Sequence, residues 1–125
     1  MKTKKFHKAG VHLPVRNLRE TLDYYRNRLG FYEEWTFGPV DGGLRRDEMR
    51  LLFGEDAAYV DTVNNDKNCL NLIWFVEDIE AIYTEYQERG IKIISPLESC
   101  DYGMREFAFF DINGYYIRVS EGIED

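Results

Sequence analysis

The chain is short of the residues that usually hold metals or staples: its 125 residues include two cysteines and two histidines. Cys69 and Cys100 stand 31 residues apart, outside any CxxC or zinc spacing, and read as two reduced, partly buried thiols. No apolar run approaches the roughly 20 residues of a membrane span, and the basic start MKTKKFHKAG has no apolar segment behind it to make a secretory signal. Those absences make the cytoplasm the expected compartment. Basic charge is also scarce: the net charge of −7 repels phosphates, excludes nucleic acid as a partner and favours a cationic ligand. The lysines at positions 2, 4, 5 and 8 form a solvated arm to which no role is given. Ser nucleophile elbows, Gly-rich phosphate loops and Cys-His pairs at recognisable spacing are missing too.

What is present is a globular composition and punctuation at fixed distances. Leu18, Leu22, Tyr25 and Leu29 line one face of a helix, with Asn17 and Glu20 as a capping box and Gly30 as its stop. A second helix repeats the plan, with Asp78 as cap, Ile79, Ile82, Tyr83 and Tyr86 as the apolar face and Gly90 as the stop. At a shift of 61, Val15 meets Val76, Asn17 meets Asp78, Tyr25 meets Tyr86 and Arg28 meets Arg89. Two copies of one unit of about 60 residues are therefore expected.

Strands are expected at about 6–15, 31–38, 42–46 and 49–54, then at 69–76, 91–95, 104–111 and 115–120. Turn signals separate them, the strongest being Asp111-Ile112-Asn113-Gly114. The expected class is α+β in one domain over 1–125: a first βαβββ module at about 6–54, a connection at 55–67 and a second module at about 68–121. Each module leaves one sheet face open, and two such sheets facing each other would form a curved mixed sheet around a cleft.

The segments Leu13-Pro14-Val15-Arg16-Asn17-Leu18, Tyr24-Tyr25-Arg26-Asn27-Arg28-Leu29-Gly30-Phe31 and Asp111-Ile112-Asn113-Gly114 resemble the vicinal-oxygen-chelate superfamily (glyoxalase/bleomycin resistance protein/dioxygenase) over nearly the whole chain. Within it the chain is most similar to the bleomycin-resistance proteins. Tyr102-Gly103-Met104-Arg105-Glu106-Phe107-Ala108 resembles their Trp-Gly-Arg-Glu-Phe-Ala segment, with Met104 inserted and Tyr102 in place of Trp. Arg46-Asp47-Glu48-Met49 leading into a strand, the run Leu72-Ile73-Trp74-Phe75-Val76, and Glu121 near the C-terminus add to it.

The resemblance implies four metal-ligand positions in the enzymes of the superfamily. Here they fall on Gly10, Asn71, Arg118 and the stretch Leu51–Phe53, a set that opposes a cation. His7 and His12, five apart, point to opposite faces of a regular strand; His12 alone shares the face of Gly10 and could be a displaced ligand. No metal, cofactor or catalytic residue is expected.

The resemblance implies instead metal-independent sequestration of a cationic or aromatic small molecule such as bleomycin, in the manner of an antibiotic-resistance protein. The expected ligand-binding residues are Trp35, Phe37, Tyr59, Trp74, Tyr102, Gly103, Arg105 and Glu106. Aromatic faces suit planar rings and carboxylates suit positive charge. A homodimer is also implied, with clefts completed by both chains and the N-terminal strand exchanged; Pro14 fits an edge strand. The alternatives are a metal-dependent enzyme of the same superfamily (lyase, dioxygenase or thiol transferase) and a binder of an unrelated metabolite.

Overall fold

The computed structural model describes residues 4–122; Lys2, one of the four arm lysines, lies outside them. The first half runs β1 (Val11–Val15), α1 (Leu18–Asn27), β2 (Tyr32–Phe37), β3 (Asp41–Arg46) and β4 (Met49–Glu55). After α2 (Ala57–Val63), the second half runs β5 (Asn71–Phe75), α3 (Ile79–Glu88), β6 (Ile93–Ser99), β7 (Met104–Phe110) and β8 (Tyr116–Gly122). The two halves form two four-stranded mixed sheets of identical plan, β1-β4-β3-β2 and β5-β8-β7-β6, in which β1 is parallel to β4 and β5 to β8. This is an α+β architecture of two βαβββ units. No helix among the described residues is long and apolar enough to cross a membrane.

One hydrophobic cluster spans both halves. Leu18, Leu22, Tyr25 and Leu29 put the apolar stripe of α1 against Leu44, Leu51 and Phe53 of the first sheet, while Ile79 and Tyr86 of α3 lie against Phe107, Phe109 and Ile117 of the second. Each fully buried side chain of this size stabilises the fold by roughly 1.5–3 kcal/mol. Trp74 joins the halves, with its ring 6.2 Å from Tyr25, 5.6 Å from Phe31 and 6.1 Å from Phe109. At the C-terminal ends of α1 and α3 the bonds are reciprocal: Arg28 donates to the Gly90 carbonyl and Arg89 to the Asn27 carbonyl, both at 2.9 Å. The halves therefore meet through their helix-covered sides.

Several boundaries differ from expectation for identifiable reasons. β1 begins at Val11 and not near residue 6, because β4 starts at Met49 and the register pairs Val11 with Leu51. β6 runs on through Pro96, which an edge strand tolerates where the register shifts between Ser95 and Glu98. The connection holds the helix α2, capped by Asp56, whose side chain accepts from the Tyr59 N–H at 3.0 Å; only Val60 of its seven residues is buried, too few for a periodic signal. Cys69 is exposed in the segment before β5, while Cys100 is half-buried.

The caps of the two long helices also differ. Asn17 accepts from the Glu20 N–H at 2.9 Å, as its position predicts. Asp78 makes no side-chain cap; it adopts φ 58° and leaves the work to Glu121, whose carboxylate accepts from the N–H groups of Asp78 (2.8 Å) and Ile79 (3.1 Å). Glu55, at the corresponding end of β4, accepts from the Leu18 N–H at 3.0 Å. A carboxylate from the last strand of each half thus meets the positive end of that half's helix.

Candidate functional site

Strand alternation leaves each sheet with a face not covered by its helix. On the first sheet, register places Trp35, Gly43, Leu52 and His12 in one row across the open face, with Phe37, Asp41, Gly54 and Pro14 in the next. Gly43 is needed here: a Cβ on it would stand 2.9 Å from Cζ2 and Nε1 of Trp35. The indole consequently lies against strand backbone with 36% of its surface exposed, and Phe37 beside it is 78% exposed. His12 Nε2 is 3.8 Å from Asp41 Oδ1.

The open face of the second sheet carries a polar cluster instead. Tyr102 Oη donates to Glu106 Oε1 at 2.6 Å, Ser120 Oγ donates to Glu106 Oε2 at 2.6 Å, and Arg118 Nη2 donates to Glu106 at 3.0 Å and to Tyr102 Oη at 2.9 Å. Burial raises the Glu106 carboxyl, but the bonds from Ser120, Tyr102 and Arg118 outweigh it and hold the group below the usual carboxylate range. Hydrogen bonding to Cys100 and then to Glu106 pushes the Tyr102 hydroxyl up to about 12. Glu98 stands opposite Glu106 in register. A small cavity of about 170 Å³ lies here, between Ser95, Tyr102, Glu106 and Arg118.

The expected site residues therefore separate into groups. Trp35 and Phe37 share the first open face, and Tyr102 and Glu106 share the second. Gly103 holds φ 80° in the turn before β7, with nothing within 4 Å of where a side chain would begin. Arg105 points to the helix side of β7 and pairs with Glu80 of α3 at 2.8 Å. Tyr59 sits on α2, 55% exposed and on neither sheet. Trp74 is 6% exposed and belongs to the core, because Tyr25 and Phe31 of the other half cover its face of β5. Sequence reasoning passed over Ser120, which the two-residue period places beside Arg118, and Gly43, whose glycine doublet inside a strand signals close approach.

The residues do not fit the divalent ion of the metal-dependent enzymes. The guanidinium of Arg118 fills the place of a carboxylate and is tied to Glu106. Leu52 is the member of the Leu51–Phe53 stretch on the open face, Leu51 and Phe53 being core. Gly10 offers only a Cβ position 3.8 Å from Leu52 Cδ1. His7 lies in the exposed segment before β1. Among the described residues no three His, Cys, Asp or Glu side chains gather as an ion would require.

The comparisons agree with this architecture. The sequence profile of the Glyoxalase/Bleomycin resistance protein/Dioxygenase superfamily matches residues 7–119. A bleomycin-binding protein from bleomycin-producing Streptomyces verticillus, solved with copper(II)-bleomycin, superposes with a TM-score of 0.76 at 21% identity, covering 96% of this chain and 99% of that one. TioX from Micromonospora sp. ML1 reaches 0.76 at 16% identity over 94% of this chain and all of its own. A glyoxalase/bleomycin resistance protein/dioxygenase from Nocardioides reaches 0.76 at 14% identity, covering 98% of this chain and 87% of that one. Among curated proteins none matches the chain in sequence.

Proposed function

The chain belongs to the glyoxalase/bleomycin resistance protein/dioxygenase superfamily, and from that premise we propose that it is a cytoplasmic binder of the bleomycin-resistance type, sequestering a flat, cationic small molecule without a metal. The observation that carries this reading is Trp35 laid over Gly43 on an uncovered sheet face. A planar ring stacked on such an indole gains about 0.5–1.5 kcal/mol beyond its buried area. Asp41 on that face and the net charge of −7 suit a positively charged ligand. The second open face supplies Tyr102 and the carboxylate of Glu98.

Among the described residues no hydrogen bond, ion pair or aromatic contact links one open face to the other. A two-fold homodimer would let the Trp35 face of one protomer meet the Tyr102 face of its partner and enclose a ligand between them. The reading is tested by calorimetric titration of the chelator-treated protein with metal-free bleomycin, with sedimentation to count chains. Saturation near one ligand per chain of a dimer is expected, with affinity about two- to tenfold weaker in Trp35→Ala, the ratio that a lost stacking contact of this size gives. A flat titration of folded protein overturns the bleomycin assignment.

A further inference from the structure

A larger cavity, about 650 Å³, lies at the seam where the β3–β4 turn approaches the start of α3. Its apolar lining includes the exposed Phe75 and the half-buried Met49, Val76 and Ile82, together with the core residues Phe31, Trp74 and Tyr86. Its rim is acidic: Asp47 and Glu48 come from the turn, Glu77 and Asp78 from the segment entering α3. None of these four carboxylates has an ion-pair partner among the described residues. Arg46, the one lining cation among the described residues, is already engaged, donating to both Glu85 oxygens at 2.8 Å and to the Leu29 carbonyl at 2.9 Å.

The corresponding seam of the other half shows how this fold closes the gap. There the β7–β8 turn reaches α1: Asn113 accepts from the Arg16 N–H at 2.9 Å and donates to Thr21 Oγ1 at 3.1 Å, and Tyr25 Oη donates to Asp111 at 2.6 Å. The β3–β4 turn is held back toward its own half, with the Asp47 N–H donating to Tyr32 Oη at 2.7 Å and Arg45 donating to the Asp47 carbonyl at 2.7 Å. The open seam is thus a shaped space with an apolar lining and carboxylates that no ion pair neutralises.

We infer that this seam is a second binding site, for an amphipathic organic cation: a quaternary or protonated amine carrying an aromatic or branched apolar group. The volume lies within the range of small-molecule pockets. A cation within about 6 Å of the exposed Phe75 ring is attracted by its π face, and the rim carboxylates supply its counter-charge. An anionic ligand of the same shape would be repelled. The site uses neither Trp35 nor the Tyr102–Glu106 cluster, so it does not rest on the bleomycin reading.

The test uses the full chain as Trp35→Phe, which leaves Trp74 as its one tryptophan, and follows Trp74 emission during titration with benzyltrimethylammonium. A saturable change is expected, weakened about tenfold in Asp47→Asn/Glu77→Gln and about threefold in Glu48→Gln, with phenylacetate giving none. All three positions are exposed, so thermal melts matching that of the parent will show the variants folded. Linear, unsaturated quenching overturns the inference. So does equal affinity in the charge variants, or a phenylacetate response matching that of the cation.

Discussion

The β7–β8 turn and the β3–β4 turn occupy corresponding places in two halves of one plan, yet they behave oppositely. The first carries Asp111 and Asn113, whose short polar side chains reach α1 and satisfy backbone and hydroxyl groups that are buried there. Asp111 itself also accepts from the N–H groups of Asn113 (2.8 Å) and Tyr115 (3.0 Å), so the turn is knitted internally before it crosses the seam. The second carries Asp47 and Glu48, both exposed, and its bonds go back to Tyr32 and Arg45 of its own half. A duplicated scaffold can therefore spend one seam on cohesion and leave the other as a cavity, and the choice turns on two or three polar residues in a turn.

The largest test of that contrast lies in pH. Burial pushes the Asp111 carboxyl up from 3.8 to about 6, against the opposing pull of bonds from Tyr25, Tyr115 and Asn113. The folded state then holds a proton between about pH 4 and 6 that the unfolded chain has lost, so this group's contribution to stability falls as pH rises through that window. The change is on the order of 3 kcal/mol across the window. Urea denaturation of the parent and of Asp111→Asn at several pH values should give a stability difference that shifts against the parent between pH 4 and 6. A constant difference would remove the closed seam's dependence on this buried acid.

Next in size, Asn113→Ala should cost about 2 kcal/mol, because it leaves the Arg16 N–H and the buried Thr21 hydroxyl without partners. Asp47→Ala in the opposite turn should cost under about 1 kcal/mol. Equal losses would mean that the two turns contribute alike. The caps give a second contrast of similar size. Glu121→Ala should destabilise α3 by about 1 kcal/mol, whereas Asp78→Gly should be neutral or stabilise by up to about 1 kcal/mol, since φ 58° suits glycine and no side-chain cap is lost. A reversal of those two would restore Asp78 as the cap.

That pair also shows where sequence reading stops. Local rules found α1, its Asn17 cap and the glycines ending both long helices, because each signal lies within one helical turn of what it controls. They could not find Glu121 as the cap of α3, since the partners are 43 and 42 residues apart and meet only once β8 lies beside β5. Trp35 and Phe37 follow strand alternation onto one face. Trp74 does not yield to it, because Leu72, Ile73, Phe75 and Val76 are all apolar and the burying partners are Tyr25 and Phe31 from the other half. The acidic rim was equally hidden: Asp47-Glu48 and Glu77-Asp78 are ordinary surface pairs until the fold sets them around one cavity.

The parallel placement of β1 and β5 also sets an order of events for folding. The β3–β4 and β7–β8 hairpins bring together strands separated by short turns, which form in microseconds. Val11 must find Leu51 and Asn71 must find Tyr116, so each sheet receives its first strand only after a loop of about 40 residues has closed. The strands synthesised first in each half are thus expected to be the last incorporated, and β1 and β5, each at the edge of its sheet, should exchange their backbone protons earlier than the central strands.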